Sequence, residues 1–242
     1  MNTWQADLSL WQFPASLILG VVFALSVWAL HLYHPQSRLC RLLSGIPMAV
    51  VGLVLVGLAM AVEGTWGQGI HLTYPFIVLL LLLMANLELT ILRRLQQRNV
   101  GFLLNHAGLF LILWGGLFGA PDVTQARMVV PRGEAVRVAQ TAQGALVPLP
   151  FEVRLDRFTI DCFDDGSPRQ YRSELQIDGH ACPIEVNAPA HTKGYTIYQE
   201  SYDRAHNAYT VLLLVRDPWL WVVWLGMGLL AVGSCLFIFR RS

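Results

Sequence analysis

Seven histidines are the side chains here best suited to holding a metal, and one of them stands in an unusual place. His106 lies within residues 99–121, a run with no Asp, Glu, Lys or Arg. It sits five residues inside an apolar segment, about 8 Å from its end at 1.5 Å per residue of helix. A polar side chain at that depth is a functional candidate by default. Two chemistries fit it: ligation of a haem iron through one ring nitrogen, or a hydrogen bond to a neighbouring helix. Depth alone leaves both open. His31 and His34 end the first apolar run at the same level and are the same-side partners that the chain offers His106. Their simpler reading is interfacial histidines at a helix end. His71 precedes the third run at the opposite edge and reads as interfacial. His180, His191 and His206 fall in turns or strand ends of a polar segment.

Other chemistries lack their residues. Cys40, Cys162, Cys182 and Cys235 form no CxxC pair. Zinc-ribbon and thioredoxin-type sites are therefore excluded, as is covalent haem on a CxxCH motif. There is no P-loop and no GxSxG elbow. No constellation for nucleophilic or metal-hydrolytic catalysis is present, so a stand-alone enzyme is not expected. Glu63 reads as interfacial. Glu88, near the end of the third run, can snorkel or meet Arg93 or Arg94.

The elements that position these residues follow from composition. Of the 242 residues, 55% are hydrophobic and only 14% charged, against about 25% charged in ordinary soluble domains. Residues 121–217 hold 10 of the 17 Lys and Arg and 13 of the 16 Asp and Glu. One polar segment is thus embedded in a membrane protein. Five apolar stretches approach the roughly 20 residues needed to span a bilayer. They fall at 14–32, 46–62, 70–92 and 100–120, with a fifth within 218–242 that ends in a short tail. A net charge of +1 without a basic cluster argues against nucleic-acid binding.

The seven basic residues outside the polar segment set an orientation. Arg38 and Arg41 lie between spans one and two, Arg93, Arg94 and Arg98 between three and four, and Arg240 and Arg241 after five. Alternating spans put all seven on one side, which the positive-inside rule makes cytoplasmic. The amino terminus and residues 121–217 are then outside and the carboxyl terminus inside. No Lys or Arg precedes Arg38, so the first span does not read as a signal peptide. Trp66, Trp219, Trp221 and Trp224 suit an outer aromatic belt. Span four carries Gly101, Gly108, Gly115 and Gly119 on one face, with Asn105 and Ile112 between them. That face suits close approach of a helix or a haem.

Residues 121–217 read as an all-β domain of about five to seven strands, a small sandwich or open barrel. Phe151, Val153 and Leu155 alternate with polar residues, and the phase slips by one at Phe158 and Ile160, which places a bulge near Asp156–Arg157. Residues 164–168 and Asp178–Gly179 form turns, and strands resume at 171–177, 184–186, 195–202 and 209–215. Cys162 ends one strand and Cys182 begins the next but one. The strand between them, roughly seven residues of about 3.3 Å, holds the thiols far beyond the roughly 7 Å Cα separation of a disulfide.

A set of motifs resembles the ResB/CcsB family. They are Val186–Asn187–Ala188–Pro189, then Gly194–Tyr195–Thr196–Ile197–Tyr198–Gln199 and Ser201–Tyr202–Asp203. Leu149–Pro150–Phe151, Leu155–Asp156, Phe158, Asp217–Pro218 and His106–Ala107–Gly108–Leu109 add to it, across about residues 46–239. The resemblance implies System II cytochrome c maturation, in which such a subunit works with a CcsA-type partner. Together they carry haem across the membrane and attach it to apocytochrome c, as a cytochrome c synthase (haem lyase) complex. It also favours His106 as an axial ligand of a non-covalent haem b, with His31 and His34 as weaker candidates. The partner's tryptophan-rich external loop ending in Asp is absent here. Two departures stand out: family members usually have three spans before a much larger external domain, whereas four precede this one. The implied location is the cytoplasmic (inner) membrane, with the thylakoid membrane as the alternative. Competing functions are a b-type cytochrome or quinol-linked electron-transfer subunit, and a non-haem scaffold for a periplasmic partner.

Overall fold

The computed structural model describes residues 6–67, 69–97, 99–165, 167–203 and 206–239. Arg98, Arg240 and Arg241, which enter the charge asymmetry, lie outside the described residues, as does Gly166 of the expected turn. The chain divides into two compact units, Met1–Asp122 with Trp219–Ser242, and Val123–Pro218.

The first unit is helical. Its helices are α1 (Ala15–Tyr33), the short α2 (Arg38–Leu43), α3 (Ile46–Trp66), α4 (Tyr74–Arg94), α5 (Val100–Gly119) and α6 (Leu220–Phe239). All except α2 are long and apolar enough to cross a membrane, with mean hydropathies from 1.6 to 2.3. The protein is a multi-pass membrane protein. Pro47 and Pro75 sit in the first turns of α3 and α4, where a missing N–H costs nothing. α3 stops at Gly67, whose φ of +58° suits a residue without a Cβ. Asn99 starts α5 by accepting the Phe102 N–H at 3.3 Å.

α4 is the central helix of this unit. Phe76, Leu83, Met84, Ala85, Leu87 and Leu89 are buried on it, and α1, α2, α3 and α5 all pack against it. α5 and α6 run antiparallel in intimate contact: Gly101 meets Gly233, Gly108 meets Gly226, and Gly115 and Gly119 meet the Trp219–Val223 turn. The glycine face of α5 is therefore filled by the chain's own last span, and not by a haem. Asp122 ties the far end together. Its carboxylate accepts the Trp219 indole N–H at 2.6 Å, the Phe13 N–H at 2.7 Å and the Ser16 hydroxyl at 3.3 Å.

The second unit is one antiparallel sheet. Its strands are β1 (Thr124–Pro131), β2 (Ala135–Gln140), β3 (Leu146–Cys162), β4 (Pro168–Ile177), β5 (His180–Glu185), β6 (Ala190–Thr192), β7 (Tyr195–Tyr202) and β8 (Tyr209–Arg216), in the order β5-β4-β3-β2-β1-β8-β7-β6. Eight strands form where five to seven were expected, because β1, β2 and the three-residue β6 join the ladder. The first and last strands pair along their full length, from Thr124 opposite Arg216 to Pro131 opposite Tyr209. The two edge strands are successive in the chain, and a Glu185–Ala188 bridge closes the turn between them. Its core is Met128, Phe151, Leu155, Ile184, Ile197 and Leu212 with their neighbours on one face. The expected bulge is present, since the β3–β4 register shifts between Leu155 and Arg157. Cys162 pairs opposite Pro168 and Cys182 opposite Leu175. They sit at opposite ends of β4, and both thiols are free.

Candidate functional site

In the helical unit a group of polar side chains gathers around the Arg93–Arg94 end of α4. A cavity of about 360 Å³ opens there between the start of α3 and the start of α5, with α4 as its floor. α5 contributes Phe102 and His106, α4 contributes Asn86, Thr90, Arg93 and Arg94, and Ala49 lines the α3 side. Asn86 is 5% exposed. Its amide satisfies two carbonyls at and just after the end of α2, donating to Leu43 O at 2.6 Å and Gly45 O at 3.1 Å. A buried amide so paired avoids the cost of an orphaned donor.

His106 is half-buried, and its Nδ1 lies 2.9 Å from the Phe102 carbonyl oxygen. A carbonyl accepts and cannot donate, so Nδ1 carries the hydrogen. In the neutral ring, Nε2 is then the nitrogen with a free lone pair. A ligating histidine held by its other N–H in this way is the usual arrangement at metal and haem sites. The ring also stacks on Phe102, with centroids 3.8 Å apart. The Arg94 guanidinium lies over the Phe102 ring, 4.7 Å from its centroid. Phe102 thus contacts both the Arg94 cation and the His106 imidazole. The residues present fit a haem iron at one axial position.

The other histidines do not join it. His31 is half-buried, and its Nδ1 has no hydrogen-bond partner among the described residues. His34 is exposed at the end of α1. Neither lines the cavity, so the described residues bring it a single imidazole. Glu88 does not meet Arg93 or Arg94. Its Oε2 is buried without a partner among the described residues, while Arg93 donates to Pro35 O at 2.9 Å and to Cys40 Sγ at 3.5 Å. His71 pairs with Glu63 at 3.1 Å, in a turn where Glu63 also accepts the Gly69 and Ile70 N–H groups. His180 and His191 bond within their hairpins, to Asp178 O and Thr196 Oγ1. No group of three or more potential metal-ligating side chains occurs among the described residues. Phe102 and Arg94 were missed as site residues. The signal was available, because Phe102 is four residues before His106 and shares its face of the helix.

In the sheet unit the motif residues serve packing. Asn187 and Gly194 hold turns at φ of +63° and +81°. Tyr195 stacks edge-on against Phe151 at 5.5 Å, and Tyr202 stacks on Phe158 at 4.6 Å. Gln199 donates to the Thr210 hydroxyl at 2.8 Å and accepts from Ser173, and both hydroxyl residues are fully buried.

Comparison with known proteins adds to this geometry. Residues 96–208, which include His106 and most of the sheet, match the model of the ResB-like family. The cytochrome c biogenesis protein CcsB of Synechococcus sp. (strain JA-3-3Ab) is 36% identical over 109 residues, 42% of this chain and 23% of that protein. The cytochrome c biogenesis protein Ccs1 of Porphyra purpurea is 32% identical over 107 residues, 40% of this chain and 24% of that protein. The chain thus spans about a quarter of the length of these curated relatives. A solved structure of the cytochrome c haem lyase CcmF aligns with 92% of this chain and 45% of its own, at a TM-score of 0.42 and 17% identity.

Proposed function

We propose that this chain is a membrane subunit of a cytochrome c maturation complex, handling haem for attachment to apocytochrome c together with a CcsA-type membrane partner. The observation that carries this reading is His106. It lies within the ResB-like stretch, lines a cavity among the apolar helices α3, α4 and α5 and keeps Nε2 unprotonated through its bond to Phe102 O. In this reading His106 holds the iron of the haem cargo, bound non-covalently. The second axial ligand comes from the partner, because His31 and His34 stay outside the cavity. The sheet unit lies on the outer side of a cytoplasmic-type membrane and docks the partner or the apocytochrome, and the attachment chemistry belongs to the complex.

The test is expression in a host without its own maturation system, followed by absorption spectra and a holocytochrome stain. The chain with a CcsA-type subunit should purify with haem and yield holocytochrome c, and the chain alone should yield none. Holocytochrome from the chain alone, or no haem in the complex, overturns the proposal.

A further inference from the structure

The cavity beside His106 has a polarity that ligation alone does not explain. At its α4 end stand Arg93 and Arg94, and no carboxylate lines it among the described residues. The two arginines differ in commitment. Arg93 is engaged with Pro35 O and Cys40 Sγ. Arg94 is exposed and lies over the Phe102 ring, and it makes no hydrogen bond or ion pair among the described residues. Its N–H donors are therefore available to a ligand. The two ring contacts also limit how far that cation stands from His106. The steps of 4.7 Å from guanidinium carbon to Phe102 and 3.8 Å from Phe102 to His106 bound its distance from the imidazole at 8.5 Å.

We propose that Arg94 binds a propionate of the porphyrin whose iron His106 holds, and so sets which edge of the macrocycle faces the Arg93–Arg94 end of α4. The inference rests on the haem reading of His106 and deepens it. A porphyrin carries its two carboxylates on one edge, on short arms beyond the ring, while the rest of its periphery is apolar. A cavity with arginine at one end and Ala49 and Ile46 along the side matches that asymmetry. Guanidinium is the cation whose planar fork suits a carboxylate bidentately. The Phe102 ring beneath it holds the fork in place through its π face.

The experiment compares iron protoporphyrin IX with its dimethyl ester, titrated into the full-length chain in nanodiscs of zwitterionic lipid. Wild type should bind the free acid more tightly than the ester, by roughly fivefold for one charge-assisted contact near the surface. R94Q should bind the acid about as weakly as wild type binds the ester. It should lose the discrimination and keep the Soret position set by His106. The ester comparison on wild type carries the test even if R94Q folds poorly. Equal binding of acid and ester by wild type, with a spectrum that H106A alters, overturns the role of Arg94 and leaves the haem reading standing. No porphyrin spectrum with either ligand overturns both. If R94Q purified in detergent instead loses the phosphatidylglycerol that copurifies with wild type, read by native mass spectrometry, and retains ester discrimination, Arg94 serves a lipid headgroup and the proposal fails.

Discussion

A Cβ on Gly108 would stand 2.5 Å from the carbonyl oxygen of Gly226, and a Cβ on Gly226 would stand 2.6 Å from the carbonyl oxygen of Gly108. Each glycine is the space that the other's backbone occupies. One heptad away the contact is one-sided: a Cβ on Gly101 would stand 3.1 Å from the Gly233 carbonyl oxygen, while a Cβ on Gly233 would meet Asn105, and a seven-residue repeat keeps two helices in register along a shared seam. No hydrophobic force drives helices together in lipid, so this close packing is what holds α6 on α5.

Replacing Gly108 or Gly226 by Ala should therefore destabilise the helical unit by on the order of 1–3 kcal/mol, the usual cost of overpacking. Gly57, Gly116 and Gly228 supply controls, since a Cβ there meets nothing within 4 Å. Thermal unfolding in detergent, read by tryptophan fluorescence, should rank the first pair well below the controls. Equal melting temperatures would remove the seam from the account of stability.

The sheet has a polar counterpart to that seam. Ser173 and Thr210 are fully buried, and Gln199 joins them. Thr210→Val keeps the shape and removes the hydroxyl that Gln199 bonds. Gln199 keeps Ser201 O at 2.7 Å and the Ser173 hydroxyl as partners, so the variant loses one hydrogen bond, worth about 0.5–1.5 kcal/mol, and should be cleaved somewhat faster by protease within residues 123–218 under native conditions. Thr159→Val, in the outer part of β3, should change nothing measurable.

Acid should loosen one corner of the sheet. Asp178 accepts from the Lys193 ammonium at 2.7 Å and from the Glu152 N–H at 2.9 Å. These bonds, the Lys193 contact foremost, hold its carboxyl below the ordinary aspartate value. A lowered folded-state value means that the stabilisation is present above the unfolded value and fades as pH falls through the folded one. Protection of the β4–β5 and β6–β7 turns against hydrogen exchange should drop as pH falls below about 4. D178N should show little of that dependence at the same turns. A wild-type profile shared unchanged by D178N would assign the loss to other groups.

Much of the architecture was legible because period and punctuation agreed. The phase slip after Leu155 marked the bulge at Asp156, and Asp178–Gly179 marked a turn that adopts positive φ at both residues. The missed strands had weaker signals. β3 extends back through Pro148 and Pro150, because residues 149–152 have no ladder partner on β2 or β4 and a missing N–H at Pro150 costs no ladder bond. β6 is three residues long and exists only through its pairing with β7. His106 was legible from depth. Its partners were not, because the contacts among Arg94, Phe102 and His106 depend on how α4 and α5 pack, which single-helix periodicity does not report. For the same reason the sequence left open whether Glu88 snorkels or meets Arg93 or Arg94; the Arg93 side chain turns instead to α2 and the Pro35 carbonyl.

Orientation has a direct measurement. The expected sidedness puts residues 121–217 outside, and the Asp178–Gly179 turn offers an exposed insertion point in that unit. An alkaline phosphatase fusion at Gly179 should be active, and a fluorescent protein that fails to fold outside the cytoplasm should be dark there. The reverse pattern would invert the whole topology.

His106→Ala tests the site itself. The substitution should leave the fold intact for a specific reason. The Phe102 carbonyl that accepts the imidazole N–H also lies one helical turn before the residue 106 backbone N–H, which bonds it in any α-helix. Removing the ring therefore orphans no buried acceptor, and Phe102 keeps the Arg94 cation over its face. The variant should insert and bind a CcsA-type partner as wild type does. Its haem content should fall, and the spectrum of what remains should shift, because an axial nitrogen has been lost. Added imidazole should partly restore both, since the ring's own volume is then open beside a cavity of about 360 Å³. Rescue separates ligation from packing, as free imidazole replaces a missing ligand but cannot replace an interhelical contact. If His106→Ala copurifies with wild-type haem content and an unchanged spectrum, the imidazole is a packing group, and the bond to Phe102 O is its whole role.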